Sequence, residues 1–281
     1  MSLDDTELYD TADAFGVDLD QVRRDHVISH VLAAISTHAR DAFLFTGGTM
    51  LSRTWLRDVR LSEDVDLMVY ETRSVAGARL ADLVRSEIEP LFGRVEWDKD
   101  PATAGDAESI FASVGDDVTI KFQLADTIGR ASWPRERVAI HQRYSDAPAA
   151  ELLVPTREAV VAMKLTAWID RRTSRDLYDL MAMAERDMIT RDAFATYGRY
   201  GQTTNPLAVH YFHNPPAEDR WVADLGHQCR LAVTAANAIA RVGQALADIG
   251  ALDGEHPGAE DTPAWLSAPE SRRARKGATP T

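Results

Sequence analysis

The first 150 residues alternate between helical and strand-like patterns of apolar positions. Apolar residues recur at helical spacing from Asp20 to about Ala39, with Asp20 available as the N-cap. A short apolar run from Ala42 to Thr46 has the length of a buried strand, and polar and apolar residues alternate over 64–70 as in a half-buried strand. This half of the chain therefore predicts a sheet with helices packed against it.

Further helices and strands are predicted up to about residue 142, and only helices are predicted after Pro155. The patterns predict a helix at 75–92, a strand at 94–97, a hairpin of 109–114 and 118–124, and a strand at 138–142. After Pro155 the pattern is helical, with Thr156 as a cap and helices through Trp168 and at 174–186, 191–197, 221–225 and 229–252. We predict an α/β (α+β) protein with a small mixed sheet in a core at 1–150 and a helical domain at 151–252 that completes a cleft. Residues 253–281, rich in Gly, Pro, Ser and charge, are predicted to form a mostly disordered tail.

Composition narrows the class of protein. With 281 residues, 45% of them apolar, the chain can bury a full core. The net charge of -13 argues against a general nucleic-acid coat protein, because sequence-independent phosphate binding needs a dense positive surface. No apolar run approaches the roughly 20 residues that cross a bilayer, and the acidic N-terminus lacks an h-region. We therefore expect a cytoplasmic protein with no membrane partner, and the single Cys229 fits a reducing compartment.

The segment from Phe43 to Tyr70 contains the residues with the clearest chemistry. Asp64 and Asp66 lie two apart on a predicted strand, so their side chains share one face with Cα atoms ~7 Å apart. Two carboxylates on one face suit a hard divalent cation such as Mg²⁺, which takes one or two carboxylates plus substrate phosphates. Mn²⁺ is the alternative metal.

A glycine pair precedes these carboxylates. Gly47 and Gly48 end the first predicted strand, and a helix is predicted from Thr49 to about Leu56. Backbone without side chains can approach a triphosphate closely, and the start of the next helix offers unpaired N–H groups. Phosphate on one side and metal carboxylates on the other are what nucleotidyl transfer from an NTP requires.

Two sequence motifs resemble a known family. GGT at 47–49 followed by SEDVDL at 62–67 resembles the first motif of the DNA polymerase β-type nucleotidyltransferases. The fuller strings TGGTMLSRTWL and RLSEDVDLMVY are closer to the AbiEii/AbiGii-type (MenT-like) nucleotidyltransferase toxins. MKLTAW at 163–168 and RRTSRDLYDL at 171–180 resemble that branch's lysine helix and R-D-x-x-D-L helix. Two motifs in the right order are much more specific than a glycine pair with Asp-x-Asp alone.

The resemblance implies roles for particular residues. Lys164 would contact the triphosphate, and Asp176 would complete the site from the helical domain. Ser62 would lie at the mouth of the site, and phosphorylation of its hydroxyl would oppose triphosphate binding. The remaining expected site residues are the phosphate cradle of Gly47, Gly48 and Thr49 and the metal ligands Asp64 and Asp66.

The family also implies a reaction and partners. A nucleotidyltransferase core would move a nucleoside monophosphate from an NTP, with Mg²⁺, to an RNA acceptor, with the tRNA 3′ end favoured. The protein would be a toxin neutralised by a separately encoded antitoxin. Two alternatives stay open, namely a nucleotidyltransferase that modifies a small molecule or a protein hydroxyl, and a catalytically silent nucleotide-binding protein.

One position departs from the family pattern. Many relatives carry Glu where this chain has Gln123, and a neutral amide is a poor substitute for a metal-bridging carboxylate or a general base. Either one metal suffices, or Asp126 or Asp176 takes its place, or the chemistry is slow.

Other polar clusters have weaker claims to function. His26 and His30 are one helical turn apart, but the sequence shows no third metal ligand near them. Asp176 could pair with Arg172 as an ordinary helical ion pair. Arginines could border the cleft and grip RNA, or could be solvated surface residues; they are Arg53, Arg57, Arg60, Arg171, Arg172, Arg175 and, in the tail, Arg272, Arg273 and Arg275 with Lys276.

Overall fold

The computed structural model describes residues 3–127, 130, 132–201 and 207–252. The chain opens with helix α1 (Asp5–Phe15) and helix α2 (Leu19–His38). The N-cap of α2 is Asp18, whose carboxylate accepts from the Gln21 backbone N–H at 2.8 Å. The predicted cap Asp20 is wrong, because that residue lies inside the first turn and pairs with Arg23. Nearly every residue from Gln21 to Ile35 is buried, so α2 runs through the interior.

A five-stranded mixed sheet lies against α2, as the sequence predicts. Its strands are β1 (Phe43–Thr46), β2 (Asp64–Val69), β3 (Val95–Trp97), β4 (Ser109–Val114) and β5 (Val118–Asp126), in the order β1-β2-β5-β4-β3. β2 and β5 are parallel, and the other neighbouring pairs are antiparallel. Because β2 lies between β1 and β5, its side chains have neighbours on both sides, and this places the two predicted metal ligands at the centre of one face.

The helices that join these strands differ in detail from their predicted bounds. Helix α3 (Gly47–Arg53) begins at the glycine pair itself, whereas the sequence predicts a turn there and a helix from Thr49. Helix α4 (Arg73–Leu83) continues through a π-helical turn at Val84–Ile88 into α5 (Glu89–Phe92). One continuous helical segment therefore covers most of the predicted range 75–92.

A two-stranded sheet contains a strand that the sequence pattern does not show. Strand β6 (Arg135–Ile140) pairs antiparallel with β7 (Ala150–Pro155). The partner strands are separated by a loop at 141–149 with no tight-turn signal, so local sequence gives no sign of the pairing. β7 starts at the predicted domain boundary after residue 150, and that boundary stays a prediction.

The regular elements described after β7 are helices, as predicted. The helices are α6 (Arg157–Arg171), α7 (Ser174–Ala184), α8 (Arg191–Tyr200), α9 (Glu218–Leu225) and α10 (Ala235–Asp248). Threonine caps α6, α7, α8 and α10, and each hydroxyl accepts a backbone N–H from the first turn; these residues are Thr156, Thr173, Thr190 and Thr234. Cys229 lies in the connection before α10, outside the helix that the sequence predicts to begin there, and its side chain is buried.

One hydrophobic cluster joins the sheet to the helical part of the chain. It includes Ile28 of α2, Phe122 of β5, Leu165 of α6 and Val242 of α10. The helices are therefore held against the sheet by a shared core, which fixes the walls of the cleft between them. Among the described residues no helix is long and apolar enough to cross a membrane. The predicted disordered tail lies outside the described residues.

Candidate active site

Asp64 and Asp66 lie on the same face of β2, as the alternation predicts. In the register of the sheet Asp64 is opposite Lys121 of β5, and Asp66 is opposite Gln123 of β5 and Thr46 of β1. The Lys121 ammonium lies 2.6 Å from Asp64 Oδ2. The two carboxylates therefore have a cation beside them even before any metal is considered.

The Asp66 carboxylate lies directly over the first glycine of the pair. A Cβ atom at Gly47 would come within 2.0 Å of Asp66 Oδ2, and Gly47 has a φ of 79°, in the left-handed region. Burial, together with the charge of Asp64, raises the pKa of Asp66 to about 6. Glycine is required here for two reasons, since a side chain would be strained and would collide with the carboxylate.

The second glycine packs against the segment that leads into β2. A Cβ at Gly48 would lie 2.6 Å from Arg60 Nη2 and 2.9 Å from Ser62 Oγ. Ser62 lines the cavity described below but is only 5% exposed. It therefore lies in the wall of the cavity, whereas the sequence places it at the mouth.

Two threonine hydroxyls, one at the end of β1 and one in α3, bind these elements to β2. Thr49 Oγ1 donates to the Asp64 carbonyl, and Thr46 Oγ1 donates to the Asp66 carbonyl at 3.3 Å. Thr49 is fully buried, so its side chain positions the strand that carries the carboxylates. Thr49 is expected from the sequence to form part of the phosphate cradle. Because its hydroxyl is buried and already donates to Asp64, only its backbone could contact a ligand.

Lys164 of α6 meets two carboxylates of α7. Its ammonium lies 3.2 Å from Asp176 Oδ1 and 2.7 Å from Asp179 Oδ2, and its side chain is 12% exposed. Asp176 also receives a bidentate pair of hydrogen bonds from Arg171, at 2.7 and 2.8 Å, and one from Thr173 at 2.6 Å. The partner of Asp176 is thus Arg171, and the helical ion pair with Arg172 that the sequence suggests is absent among the described contacts.

The charges of this cluster fix the ionisation of its acids. Burial opposes the charged form of Asp176, but Lys164 and Arg171 outweigh burial and hold its pKa below the usual range. Asp179 behaves in the same way, since Arg60 and Lys164 lower its pKa against burial. Both acids are therefore ionised, and Asp176 acts on the cavity by positioning Lys164 and Arg171.

A cavity of about 630 Å³ brings the two sequence motifs together. From the sheet side it is lined by the glycine pair, Asp64, Asp66, Lys121 and Gln123, and from the helical side by Lys164, Asp170, Arg171, Arg175 and Asp176. The volume is in the range of small-ligand sites. The predicted convergence of the two motifs on one cleft is what the fold produces.

The match to known proteins agrees with this geometry. Residues 30–247 match the model of the nucleotidyl transferase AbiEii toxin family of the Type IV toxin–antitoxin system. The chain belongs to this family. It is thus a nucleotidyltransferase toxin of a toxin–antitoxin pair, and the family implies a separate antitoxin.

Solved structures share the fold of this AbiEii-family protein. MenT4, a nucleotidyltransferase toxin from Mycobacterium tuberculosis H37Rv, is 21% identical with a TM-score of 0.64, over 84% of this chain and 86% of that one. A proposed nucleotidyltransferase from H. pylori is 15% identical with a TM-score of 0.52, over 83% of this chain and 96% of that one. No curated protein sequence matches the chain.

This AbiEii-family chain has Gln123 where a third carboxylate is expected. Neither of the two acids that the sequence suggests as substitutes, Asp126 and Asp176, takes its place. Gln123 lies beside Asp66, and its amide donates to the Ala107 carbonyl at 3.0 Å. Asp126 pairs with Arg73 and does not line the cavity, and Asp176 is fully engaged. The exposed Asp170 of α6 lines the cavity, and no described residue forms an ion pair with it.

Most of the arginines proposed to grip RNA have other partners. Arg53 is buried against Asp25, and Arg60 makes a bidentate ion pair with Asp179 at 2.7 and 2.9 Å. Arg172 stacks on Trp168 and Tyr211, with its guanidinium 4.8 and 4.7 Å from the two ring centroids. Arg175 is exposed and lines the cavity, and the four basic residues of the tail lie outside the described residues.

Sequence reasoning missed the parts played by three residues. The sequence patterns single out Arg171 only as one of several arginines, and they single out neither Lys121 nor Asp170. A usable signal existed for Arg171, which follows Lys164 by two helical turns and so shares its face of α6. No such spacing links Asp170 to Lys164. No local signal connects Lys121 with Asp64, because their pairing depends on the sheet register.

Proposed function

We propose that this protein transfers a nucleoside monophosphate from an NTP to an RNA acceptor, with Mg²⁺ bound by Asp64 and Asp66. The observation that carries the proposal is one cavity that is lined by both carboxylates, with Asp66 lying over Gly47, and by Lys164 and Arg171. The favoured acceptor is the tRNA 3′ end, which follows from the family resemblance of the motifs.

The donor set fits the proposed metal. Asp64 and Asp66 offer carboxylate oxygens on one face of β2, partly open to the cavity, and hard oxygen ligands are what Mg²⁺ prefers. The metal would neutralise charge on the triphosphate and orient it. The amide at Gln123 adds no charge, so we assign the metal only these two protein carboxylates.

Groups of the protein other than the two metal ligands bind and position the triphosphate. Gly47 and Gly48 leave the backbone uncovered near the carboxylates, while Lys164 and Arg171 supply positive charge on the opposite wall for the triphosphate. Asp176 holds both cations in place. In the reaction the acceptor hydroxyl oxygen bonds to the α-phosphorus, the bond to the bridging oxygen of the β-phosphate breaks, and pyrophosphate leaves.

The hydroxyl proton needs an acceptor, and we assign it to Asp170. The residue is exposed in the cavity wall, and its carboxylate is not committed to an ion pair with any residue in the described ranges. A carboxylate can serve as a general base when it reaches the hydroxyl. Asp170→Asn should therefore lower the turnover number while leaving NTP binding unchanged.

We assign the RNA acceptor to a second cavity. It measures about 420 Å³ and shares Asp64, Lys121 and Arg175 with the first cavity, so the two meet at the proposed metal site. Phe111 lines it and is 40% exposed, so its ring is accessible from the cavity. An exposed aromatic ring beside cationic side chains suits a stacked nucleotide base.

The deciding experiment is transfer of labelled nucleotide. Purified protein is incubated with Mg²⁺, total RNA and each α-labelled NTP in turn, and the labelled product is separated and sequenced. Asp64→Asn should abolish labelling, whereas Asp82→Asn, on the exposed surface of α4, should leave it intact. Labelled RNA that is equally abundant with the Asp64 variant would sink the proposal, as would label found only on protein or on a small molecule.

The strongest competing function is nucleotide binding without transfer. Two observations favour it, namely the amide at Gln123 and the ion pair by which Lys121 occupies Asp64. Such a protein would bind NTP in a metal-dependent manner and release no pyrophosphate. A pyrophosphate release assay run beside the labelling reaction distinguishes the two functions.

A further inference from the structure

A second group of metal-ligating side chains lies away from the active-site cavity. His26 and His30 are one turn apart on α2 and are almost fully buried, at 3% and 4% exposure. Asp146, from the loop between β6 and β7, lies against both of them. The sequence shows no third ligand near the two histidines, and that expectation is wrong because the fold brings one in from 120 positions away.

The spacing of the three side chains matches a shared ion. His26 Nε2 lies 2.9 and 3.0 Å from the two Asp146 oxygens and 3.3 Å from His30 Nε2, and His30 Nε2 lies 3.5 Å from Asp146 Oδ2. Ligands at the roughly 2.0–2.1 Å bond lengths of zinc in tetrahedral geometry lie about 3.3 Å apart. The observed separations scatter closely around that value, and the ligand atoms all lie within 4.8 Å of one another.

Protons alone satisfy this arrangement poorly. If both Nε2 atoms carry protons, His26 donates to Asp146 at 2.9 Å, but the His30 nitrogen lies 3.5 Å from Asp146 Oδ2, a long hydrogen bond, and only 3.3 Å from His26 Nε2. If only one carries a proton, the lone pair of the other imidazole faces the nearby carboxylate. A divalent cation between the three groups accepts all of the lone pairs and neutralises the carboxylate.

The loop that carries Asp146 is already fixed against α2. Tyr144 Oη donates to Asp25 Oδ2 at 2.9 Å, and the Gln142 amide donates to the Ser29 carbonyl at 2.9 Å. The Ser145 backbone N–H donates to Glu7 of α1 at 2.9 Å. Because these contacts do not involve the three ligands, the site is preorganised and little ordering remains to oppose metal binding.

The surroundings suit a partly buried metal. The rings of Phe92 and Tyr144 pack edge-on against His26, with centroids 5.4 and 4.9 Å away. None of the three ligands lines either cavity of the proposed nucleotide and acceptor sites. The Asp146 side chain is 22% exposed, which gives an ion a route from solvent and leaves one coordination position for water.

We propose that His26, His30 and Asp146 bind one zinc ion that fastens the loop at 141–149 to α2. Two imidazoles and one carboxylate are a donor set that suits zinc and other transition metals better than Mg²⁺. The consequence reaches the active site indirectly. Arg143 of the same loop donates to the Ser52 carbonyl at 2.5 Å, at the end of α3, the helix that begins with the glycine pair. This proposal does not depend on the proposed reaction.

The test uses the full chain, prepared without a polyhistidine tag and stripped with a chelator. Zinc is added in the presence of excess Mg²⁺, which competes for sites made only of carboxylates, and bound metal is measured by mass spectrometry. We expect about one zinc per chain. At a free zinc concentration about 100-fold above the dissociation constant, the Tm should rise by about 5 to 10 °C.

Variants separate this site from adventitious binding. Asp146→Asn is nearly isosteric and should weaken zinc binding by at least about 100-fold, as should His30→Gln. His38→Gln is the matched control, because His38 lies on the same helix and is exposed. In the wild type Co²⁺ should give the visible absorption bands of a tetrahedral site with nitrogen ligands, and Asp146→Asn should lose them.

Three results would overturn the proposal. One is wild-type protein that takes up no zinc, so that the cluster holds only a proton. Another is unchanged zinc affinity and an unchanged Co²⁺ spectrum in Asp146→Asn, whose circular dichroism shows whether it is folded. The last is loss of the zinc in Asp64→Asn, which would place the metal in the active site.

Discussion

Lys121 Nζ lies 2.6 Å from Asp64 Oδ2, so one of the two proposed metal ligands is already paired with a cation. The pairing follows from the parallel register of β2 and β5, which sets these residues opposite each other. A metal at Asp64 must therefore share the carboxylate with Lys121 or displace its ammonium. The displaced ammonium would be close enough to the cavity to meet the triphosphate.

Removing Lys121 should have opposite effects on metal binding and turnover. Lys121→Met should tighten Mg²⁺ binding by about 3- to 10-fold, because no side-chain cation then competes for Asp64. Turnover should fall, because a positive charge near the triphosphate is lost. Calorimetry at pH 8 measures the first and nucleotide transfer the second. Lys99→Met, on an exposed lysine, is the control, and no change in either quantity would show that Lys121 plays no part.

Metal binding should weaken below pH 6. The pKa of Asp66 is raised to about 6, and the metal binds the ionised carboxylate. The apparent affinity for Mn²⁺ should be flat above pH 7 and fall about tenfold for each unit below pH 6. Titrations between pH 5 and pH 8 check this, and a flat profile across the range would contradict it.

The raised pKa of Asp66 also predicts how the stability of the metal-free fold changes with pH. Because the folded-state pKa of Asp66 lies above its unfolded value near 3.8, its contribution to folding is fully present below pH 4 and is lost as the pH rises through 6. Asp66→Asn removes the buried charge. In metal-free protein at pH 8 the variant should therefore have a higher Tm than the wild type, although it should lack activity. A lower Tm would show that the ionised carboxylate stabilises the fold.

Gly47→Ala should disable the site while a matched glycine tolerates the same change. The added Cβ would come within 2.0 Å of Asp66 Oδ2 at a φ of 79°, so the carboxylate must move. We expect loss of metal-dependent NTP binding. Gly243→Ala, in the middle of α10 with its nearest neighbour at 3.6 Å, should be neutral or gain up to about 1 kcal/mol in stability. NTP binding and Tm are measured for both variants.

Lys164 should contribute separately to stability and to activity. Lys164→Met leaves Asp176 and Asp179 buried with one cation fewer, and it should cost about 2 to 4 kcal/mol at pH 7. The pKa values of both acids are lowered in the fold, so this stabilisation is present above about pH 4 and is lost as the pH falls further. The deficit should therefore shrink in acid, as denaturant titrations at pH 7 and pH 3 would show.

The conservative substitution Lys164→Arg separates the contribution of this lysine to activity from its contribution to stability. Lys164→Arg keeps a charge beside both acids and should retain most of the stability. A planar guanidinium cannot occupy the place of a compact ammonium, so the catalytic rate should still fall by about tenfold or more. Full activity in a stable Lys164→Arg variant would assign the lysine a structural role only.

Phe111→Ala should impair use of the RNA acceptor and spare NTP binding. Phe111 lines the second cavity and is 40% exposed, and base stacking on an aromatic ring is worth about 1 to 3 kcal/mol. The KM for RNA should rise by about 5- to 150-fold with an unchanged KM for NTP. Tyr9→Ala is the aromatic control, because Tyr9 is 60% exposed on α1. Equal effects of the two variants would remove Phe111 from the acceptor site.

Local sequence predicted a feature correctly wherever that feature depends on the residues of a single helix or strand. The alternation at 64–69 places both aspartates on one face of β2, and Thr156 caps the helix that carries Lys164. It failed where two distant segments meet. The β6–β7 pairing has no turn signal between its strands, and the start of α2 at Asp18 is decided among several nearby acids by which side chain reaches the first free N–H groups.

By itself the sequence determined the family, the mixed α/β fold and the kind of chemistry, because these depend on short motifs and on periodicity. The tertiary structure decided which charges meet. Sheet register pairs Lys121 with Asp64, helix packing gives Lys164 two buried acids, and the loop at 141–149 brings Asp146 to the histidines of α2. The physical reason is range: the backbone pattern is set by neighbours along the chain, whereas ion pairs and metal sites need groups within a few ångströms in space.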